Sequence, residues 1–344
     1  GETIMGKKDR ITVQDIADAL SLSRNTVSKA LNNQYVPPRT RERVLAAAIE
    51  MGYKSYSTVA STDMDKKHLR IVLITSKHLM TMTFFIQLVR AIELRLDEMD
   101  NVELLQFTVS KSFFFDRLVD YLHENAVDGI ICIELFGADY VPRLIALGFP
   151  TVFFDFPIYL SVSGNYDVVL PESFTSVKNF CLTLIRERNI RSLGFVGDYT
   201  HCTSFYERFL AMREALFLAG MEYDADCSFI EKDSFPYGDP EELARALAHT
   251  KIPECYICAN DTIAVSVIRA LKLLRKRVPR DVMVAGFDNL PEAKNCDPAL
   301  TTFNVDKTGL GRKLLDVLLA RIGRPREKSQ VIYLQSKQIL RQTT

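Results

Sequence analysis

Residues 11–53, ITVQDIADALSLSRNTVSKALNNQYVPPRTRERVLAAAIEMGY, decide how the N-terminal part of this chain folds. Thr12 followed by Asp15 spells a capping box, in which each side chain satisfies a free N–H of a first helical turn. Val13, Ile16, Ala17 and Leu20 then recur at helical spacing and make one apolar face. Ser21-Leu22-Ser23 breaks the pattern: Leu22 points inward, and Ser23 stands where it can cap a second helix. In that helix Val27, Ala30 and Leu31 face inward, while Arg24, Asn25, Ser28 and Lys29 face out. Pro37-Pro38 opens a third helix with Val44, Ala47, Ala48 and Met51 on its inner face and Gly52 as its left-handed stop. The link between the first two helices is very short, which is the signature of a helix-turn-helix. A plain helical bundle with a solvated polar face is the alternative. The donors exposed on the second helix suit base edges and phosphates, and they favour a DNA-binding head spanning residues 11–56.

The remaining length implies further domains, since the chain has 344 residues. Its 43 Lys/Arg equal its 43 Asp/Glu, so the protein as a whole is no polycation. Residues 1–70 nevertheless hold twelve Lys/Arg against eight Asp/Glu, so the mild positive excess sits on the end that would meet phosphate. Residues 1–10 read as a flexible leader. No apolar run approaches the length of a membrane span and no signal-type segment opens the sequence. With seven scattered cysteines, this fits a reducing cytoplasm, and on DNA the nucleoid. Cys255 and Cys258 form a C-x-x-C, but they lie in an apolar run of strand type, where positions three apart point to opposite faces. That pattern disfavours a metal or redox pair.

From Leu69 onward, short apolar runs alternate with amphipathic stretches of helix length. Strands are expected at 69–75, 102–108, 129–133, 151–155, 166–169, 192–196, 227–231, 254–258 and 282–286, with helices between most of them. Such alternation argues for parallel sheets covered by helices on both faces, arranged as two doubly wound α/β lobes. Ligands of such sheets sit at the carboxyl ends of the strands. Asp155, the pair Asn260-Asp261 and the pair Asp288-Asn289 all stand at such ends. Any one of them alone is better explained as a helix cap, but together they suggest a polar pocket. Arg208 adds a fork of donors, and Phe84, Phe85 and Phe235 supply apolar faces. No P-loop, no G-x-G-x-x-G after a strand, no nucleophile elbow and no H-E-x-x-H occurs. None of the five histidines has metal-ligand spacing. An enzyme is therefore not expected, nor a metal or cofactor.

Four stretches together resemble the lactose-repressor (LacI/GalR) family of bacterial transcription regulators: ITVQDIADALSLSRNTVSKALN, TRERVLAAAIEMGY, CANDTIAVSVIRAL, and RVPRDVMVAGFDN with PALTTFNVD. The resemblance implies a periplasmic-binding-protein-like core of type I behind the head. It also implies a homodimer on a pseudo-palindromic operator and a small-molecule effector, most readily a sugar or sugar derivative, bound between the lobes. On this basis Arg24, Asn25 and Lys29 fall on the base-reading face. Thr12, Ser23, Thr26, Ser28, Asn32 and Arg41 complete the expected DNA-contacting set. Phe84, Phe85, Asp155, Arg208, Phe235, Asn260 and Asp288 are the expected effector contacts. The expected layout is a hinge at 57–68 and a core at 69–344. One lobe spans about 69–165 and 297–325, the other about 166–296 and 326–344. A solute-binding protein without regulatory DNA binding is the competing function.

Three departures from the family pattern stand out. The hinge carries no leucine to wedge into the minor groove; Val59, Thr62 and Met64 are the hinge candidates, with Asp63 and Asp65 beside Met64 set to repel phosphate. A weaker operator kink is the expectation. Asn189 stands where relatives carry a Gly-His pair, and it can adopt the left-handed cap in glycine's place. The absence of a leucine-heptad tail favours a dimer over a tetramer.

Overall fold

The computed structural model describes residues 11–31, 36–51, 68–76, 82–109 and 115–344. The leader 1–10, Asn32, Gly52 and the hinge residues Val59, Thr62 and Met64 lie outside the described residues. The chain divides into two compact units, residues 1–68 and 69–344.

In the first unit, α1 (Val13–Leu20), α2 (Arg24–Leu31) and α3 (Pro38–Glu50) form as the spacing predicts. The capping box is present: the Thr12 N–H donates to Asp15 Oδ2 at 2.6 Å, and the Asp15 N–H returns to Thr12 Oγ1 at 3.3 Å. Ser21 ends α1 in the left-handed conformation (φ 55°), which lets the Leu22 N–H reach back to the Ala17 carbonyl at 2.9 Å. Ser23 Oγ then accepts from the Thr26 N–H at 3.0 Å and caps α2. The core beneath consists of Ile16, Ala17, Val27, Ala30, Val44, Ala47 and Ala48. Met51, expected inside, is half-buried at its edge.

The second unit begins with β1 (Leu69–Ser76), α4 (Thr83–Leu96), β2 (Val102–Val109), α5 (Phe115–Glu124), β3 (Gly129–Ile133), α6 (Val141–Ala146), β4 (Thr151–Phe154) and β5 (Tyr166–Pro171). With β10 (Val331–Leu334) these strands make one parallel sheet in the order β10-β5-β4-β3-β1-β2. Alternate residues feed two separate cores: Ile71, Leu73, Ile131 and Ile133 on one face, Val72, Ile74, Ile130 and Cys132 on the other. A parallel sheet buried on both faces is the reason these runs are apolar throughout. The covering helix α12 (Lys307–Gly323) packs against α4 and across β3, β4 and β5. Gly311 permits the close approach of α12 to α4, since a Cβ there would lie 2.6 Å from Ala91 Cβ and 2.7 Å from the Leu88 carbonyl oxygen. The two nitrogens Nε and Nη2 of Arg321 in α12 donate to the Asp167 carboxylate of β5, both at 2.6 Å and both groups buried.

The chain crosses next into α7 (Phe174–Arg188), β6 (Leu193–Val196), α8 (Thr203–Leu218), α9 (Pro240–Leu247), β7 (Cys255–Cys258), α10 (Asp261–Leu273), β8 (Met283–Ala285) and α11 (Pro291–Asn295). Strands β6, β7 and β8 pair in parallel. Single bridges extend this second sheet to β9 (Thr302–Asn304), which pairs antiparallel with β11 (Lys337–Ile339). Asn189 closes α7 in the left-handed conformation (φ 54°), its N–H on the Leu184 carbonyl, as its side chain allows. Cys255 and Cys258 are buried, unpaired strand residues.

The lobe borders differ from those expected. β5 pairs with β4 and β10 with β5, so 166–171 and 331–334 belong to the first lobe. β9, expected in the first lobe, bridges β8 through Ala285–Thr301 and Asp288–Asn304 and belongs to the second. Border strands follow their hydrogen-bonding neighbours, which are distant in sequence. Residues 227–231 do not form the expected strand and contribute one bridge, Phe229 to Val196.

Candidate DNA-reading face and ligand cleft

On α2 the buried side is Val27 and Ala30, which leaves Arg24, Asn25 and Lys29 exposed on one face. Their spacing of one, four and five residues keeps them on neighbouring rows of the helix. Thr26 is turned toward Ser23, and the two hydroxyls lie 2.8 Å apart. Ser28 is half-buried on the same helix, and Arg41 is half-buried in the first turn of α3. Thr12 and Ser23, expected as DNA contacts, both act as helix caps. The described part of this face carries guanidinium, amide and ammonium donors and no carboxylate, a set able to pair with guanine, adenine and phosphate oxygens.

In the second unit a cavity of about 600 Å³ opens between the two sheets. All seven expected effector contacts line it: Phe84, Phe85, Asp155, Arg208, Phe235, Asn260 and Asp288. Six of them arrive on the carboxyl ends of β4, β7 and β8 and on the N-terminal turns of α4 and α8, and Phe235 arrives on the loop before α9. Three carboxylate residues at the strand ends have left-handed backbones: Glu134 (φ 58°), Asp155 (φ 63°) and Asp288 (φ 110°). L residues other than Asn and Asp seldom adopt such angles, and strain of this kind gathers at functional sites.

Asp155 is 5 % exposed. Its Oδ1 accepts from the Phe156 N–H at 2.8 Å and, across the cleft, from the Ser204 N–H at 3.2 Å. Thr203 adds an N–H and an Oγ1 bond to the Phe156 carbonyl, at 2.9 and 2.8 Å. The N-terminus of α8 is thus pinned to the other lobe beside a carboxylate, as the helix dipole favours. Arg208, 3 % exposed, donates from Nη1 to the Ala259 carbonyl at 2.5 Å and lies 3.7 Å above the Phe287 ring. Asn260 does cap α10, its Oδ1 accepting from the Ile263 N–H at 2.9 Å, and it lines the cleft as well. Phe84, Phe85 and Phe154 pack together at ring separations of 5.1 to 6.3 Å and form one wall. Phe235 packs edge-on to Phe229 and Tyr237 on the other.

Burial raises the Asp288 carboxyl to about 6 against the pull of Arg208 and Lys307. Behind it Asp261 is pushed up to about 7 by burial and by the Asp288 charge, although the Thr302 hydroxyl and the Leu290 N–H both donate to it. Lys307 donates to the Asp288 and Val305 carbonyl oxygens, at 2.6 and 3.2 Å.

Sequence reasoning missed Glu134, His201 and Asp233, which also line the cleft. His201 Nδ1 contacts Asp233 Oδ2, and its Nε2 lies 3.4 Å from Glu134 Oε2 on the opposite lobe. Burial opposes charging of this imidazole, but the two carboxylates overcome it and raise it to about 10. The position of Glu134 directly after β3 is the signal that was available, since it matches that of Asp155 after β4.

Comparisons with known proteins agree with both halves. The model for bacterial regulatory proteins of the lacI family matches residues 12–55, and that for a periplasmic binding protein-like domain matches residues 183–344. The HTH-type transcriptional regulator CelR of Thermobifida fusca is 26% identical over 333 residues, covering 92% of this chain and 94% of its own length. The ribose operon repressor of Escherichia coli K12 is 27% identical over 326 residues, covering 94% and 96%. Among solved structures, a transcriptional regulator CelR–cellobiose complex superposes with a TM-score of 0.71 at 25% identity, covering 97% of this chain and all of that one. No helix among the described residues is long and apolar enough to cross a membrane. With a helix-turn-helix head, a two-lobed unit holding a ligand-sized cleft and relatives that match over nine-tenths of both chains, this protein is similar throughout its length to bacterial regulatory proteins of the lacI type.

Proposed function

We propose that this chain is a transcription repressor that binds operator DNA as a homodimer and releases or tightens it in response to a sugar-like effector held in the cleft. The observation that carries this reading is the convergence of Asp155, Arg208, Asn260 and Asp288 on one cavity in a chain that also presents Arg24, Asn25 and Lys29 on an open helix face. The aromatic walls offer stacking faces for a sugar ring, and the carboxylates and guanidinium offer partners for its hydroxyls. CelR, whose solved complex holds cellobiose, supports a sugar over a nucleobase.

Control follows if the effector favours one arrangement of the lobes. The α8 N-terminus, tied to Asp155 and Phe156 across the cleft, is the element that a ligand would load. A coupling of about 1–3 kcal/mol changes operator affinity by about 5- to 150-fold. The test is anisotropy on a duplex selected from a random pool, with and without cellobiose, ribose and galactose. Arg208→Ala is expected to remove the ligand response and leave ligand-free affinity intact. If operator binding collapses in that variant, Arg208 is structural and the cleft is wrongly assigned. A flat dependence of log affinity on log salt would instead favour a solute-binding protein, because phosphate contacts release counterions.

A further inference from the structure

Glu134 and Asp155 from one lobe, and Asp233, Asp288 and Glu292 from the other, bring five carboxylates to the cleft. Against them stand two cationic side chains among the described lining residues, Arg208 and His201. Both cations are already engaged. His201 lies between Asp233 and Glu134, and Arg208 donates to the Ala259 carbonyl while covering Phe287. The lining is therefore acidic by three charges, in a partly enclosed cavity that also carries six Phe and Tyr rings.

A second, independent observation says what the cleft lacks. Ser204 Oγ and Arg208 Nε belong to side chains that are each 3 % exposed, and neither atom has a hydrogen-bond partner among the described residues. Buried polar atoms are seldom left so, because each unmet bond costs free energy. A hydroxyl is the kind of group that suits both, since it can accept from a guanidinium N–H and exchange hydrogen bonds with a serine hydroxyl. Ionised carboxylates only accept, so a ligand that meets Asp155, Asp233 and Glu292 must arrive with donors. Hydroxyl and ammonium groups qualify, whereas phosphate and carboxylate groups would add acceptors and negative charge where both are in excess.

We propose that the cleft selects by charge: it takes an uncharged polyhydroxylated ligand or its amino derivative, and it rejects the phosphorylated or carboxylated form of the same molecule. The inference rests on the reading of the cleft as the effector site, and it narrows that reading from sugars in general to non-anionic ones.

Two measurements on the full chain test it. Calorimetric titration compares ribose with ribose 5-phosphate, cellobiose with cellobionate, and glucose with glucosamine and glucose 6-phosphate. Any neutral or amino sugar that binds is expected to bind at least about 100-fold more tightly than its anionic counterpart. Tighter binding of an anion overturns charge selection and leaves the effector reading standing. Binding of purines to the exclusion of all sugars overturns the sugar reading.

The second measurement needs no ligand. Thr262 is an exposed residue on the rim of the cleft, and the native cysteines are buried except for the half-buried Cys296. In Thr262→Cys, with the rate of the unsubstituted protein subtracted, a trimethylammonium-ethyl methanethiosulfonate is expected to react at least about tenfold faster than the sulfonatoethyl reagent, relative to a small free thiol. Adding Glu292→Lys, an exposed position, is expected to shrink that ratio. Equal rates for the two reagents overturn the proposal whatever the titrations give.

Discussion

In the head, Arg24, Asn25 and Lys29 fall within six consecutive residues of one helix; in the cleft, Asp155, Arg208 and Asp288 are separated by 53 and 80 residues of chain. The head's working face is a by-product of helical periodicity: once Val27 and Ala30 turn inward, the donors have nowhere to go but out. The cleft exists only when two sheets are complete and facing. The two regions also differ in their reserves. Four of the seven residues in the head's core are alanines, whereas one core cluster of the second unit runs through both of its lobes. A capping carboxylate of the head and two buried carboxylates at and behind the cleft lean in opposite directions. Asp15 in the head is lowered by its bonds to Thr12, while burial raises Asp261 and Asp288 in the second unit. A short helical module works with little buried area, and a pocket that holds carboxylates together needs a large scaffold.

The widest separation between the two regions is expected in their response to pH. Asp261 and Asp288 have folded values raised to about 7 and about 6, so their contribution is most favourable near pH 4 and is lost as pH rises toward 7. For Asp261 this amounts to several kcal/mol, on the order of 1.4 kcal/mol for each pKa unit. Asp15 does the reverse: its contribution holds above its ordinary value of 3.8 and is lost only as pH falls below it. Melts from pH 4 to 7 on the wild type and Asp261→Asn check this; an unchanged slope in the variant breaks the contrast.

Truncation comes next. Ile16→Ala is expected to destabilise the head by about 2–5 kcal/mol, enough to abolish DNA binding, with ligand titrations of the second unit unaffected. Arg24→Ala should lower affinity for the preferred operator by about 1–3 kcal/mol and relax its choice of base, as competition with variant duplexes would report. Smallest is Thr12→Ala, which removes half of the capping box at about 1 kcal/mol and should appear as fraying of α1 in amide exchange. If Thr12→Ala weakens operator binding beyond that, Thr12 contacts phosphate as well as capping α1.

Legibility in the sequence followed the same division. In the head, the capping box of α1, the turn and the Ser23 cap of α2 were present in local spacing, and in the second unit so was Asn189 as the left-handed stop of α7. The strand ends were legible because apolar runs stop abruptly at Asp155, Asn260 and Asp288, and all three do reach the cleft. His201 and Asp233 were not, since each sits in a loop and acquires its role from a partner more than thirty residues away. The lobe borders were misplaced for a related reason. β5 and β10 carry no mark of the sheet they join, and only their pairing with β4 and with each other assigns them.

That pairing bears on how the chain leaves the ribosome. The first lobe is begun by residue 69, yet its cover helix α12 and its outer strand β10 are not synthesised until residues 307–334, after most of the second lobe. Until then β5 lacks its outer neighbour and the apolar surface of β3, β4 and β5 beneath α12 is bare. A nascent chain stalled near residue 300 would carry a finished head on an unfinished body. The lobe started first thus waits for nearly the whole chain before it is complete, and that interval is when the chain most needs protection from its neighbours.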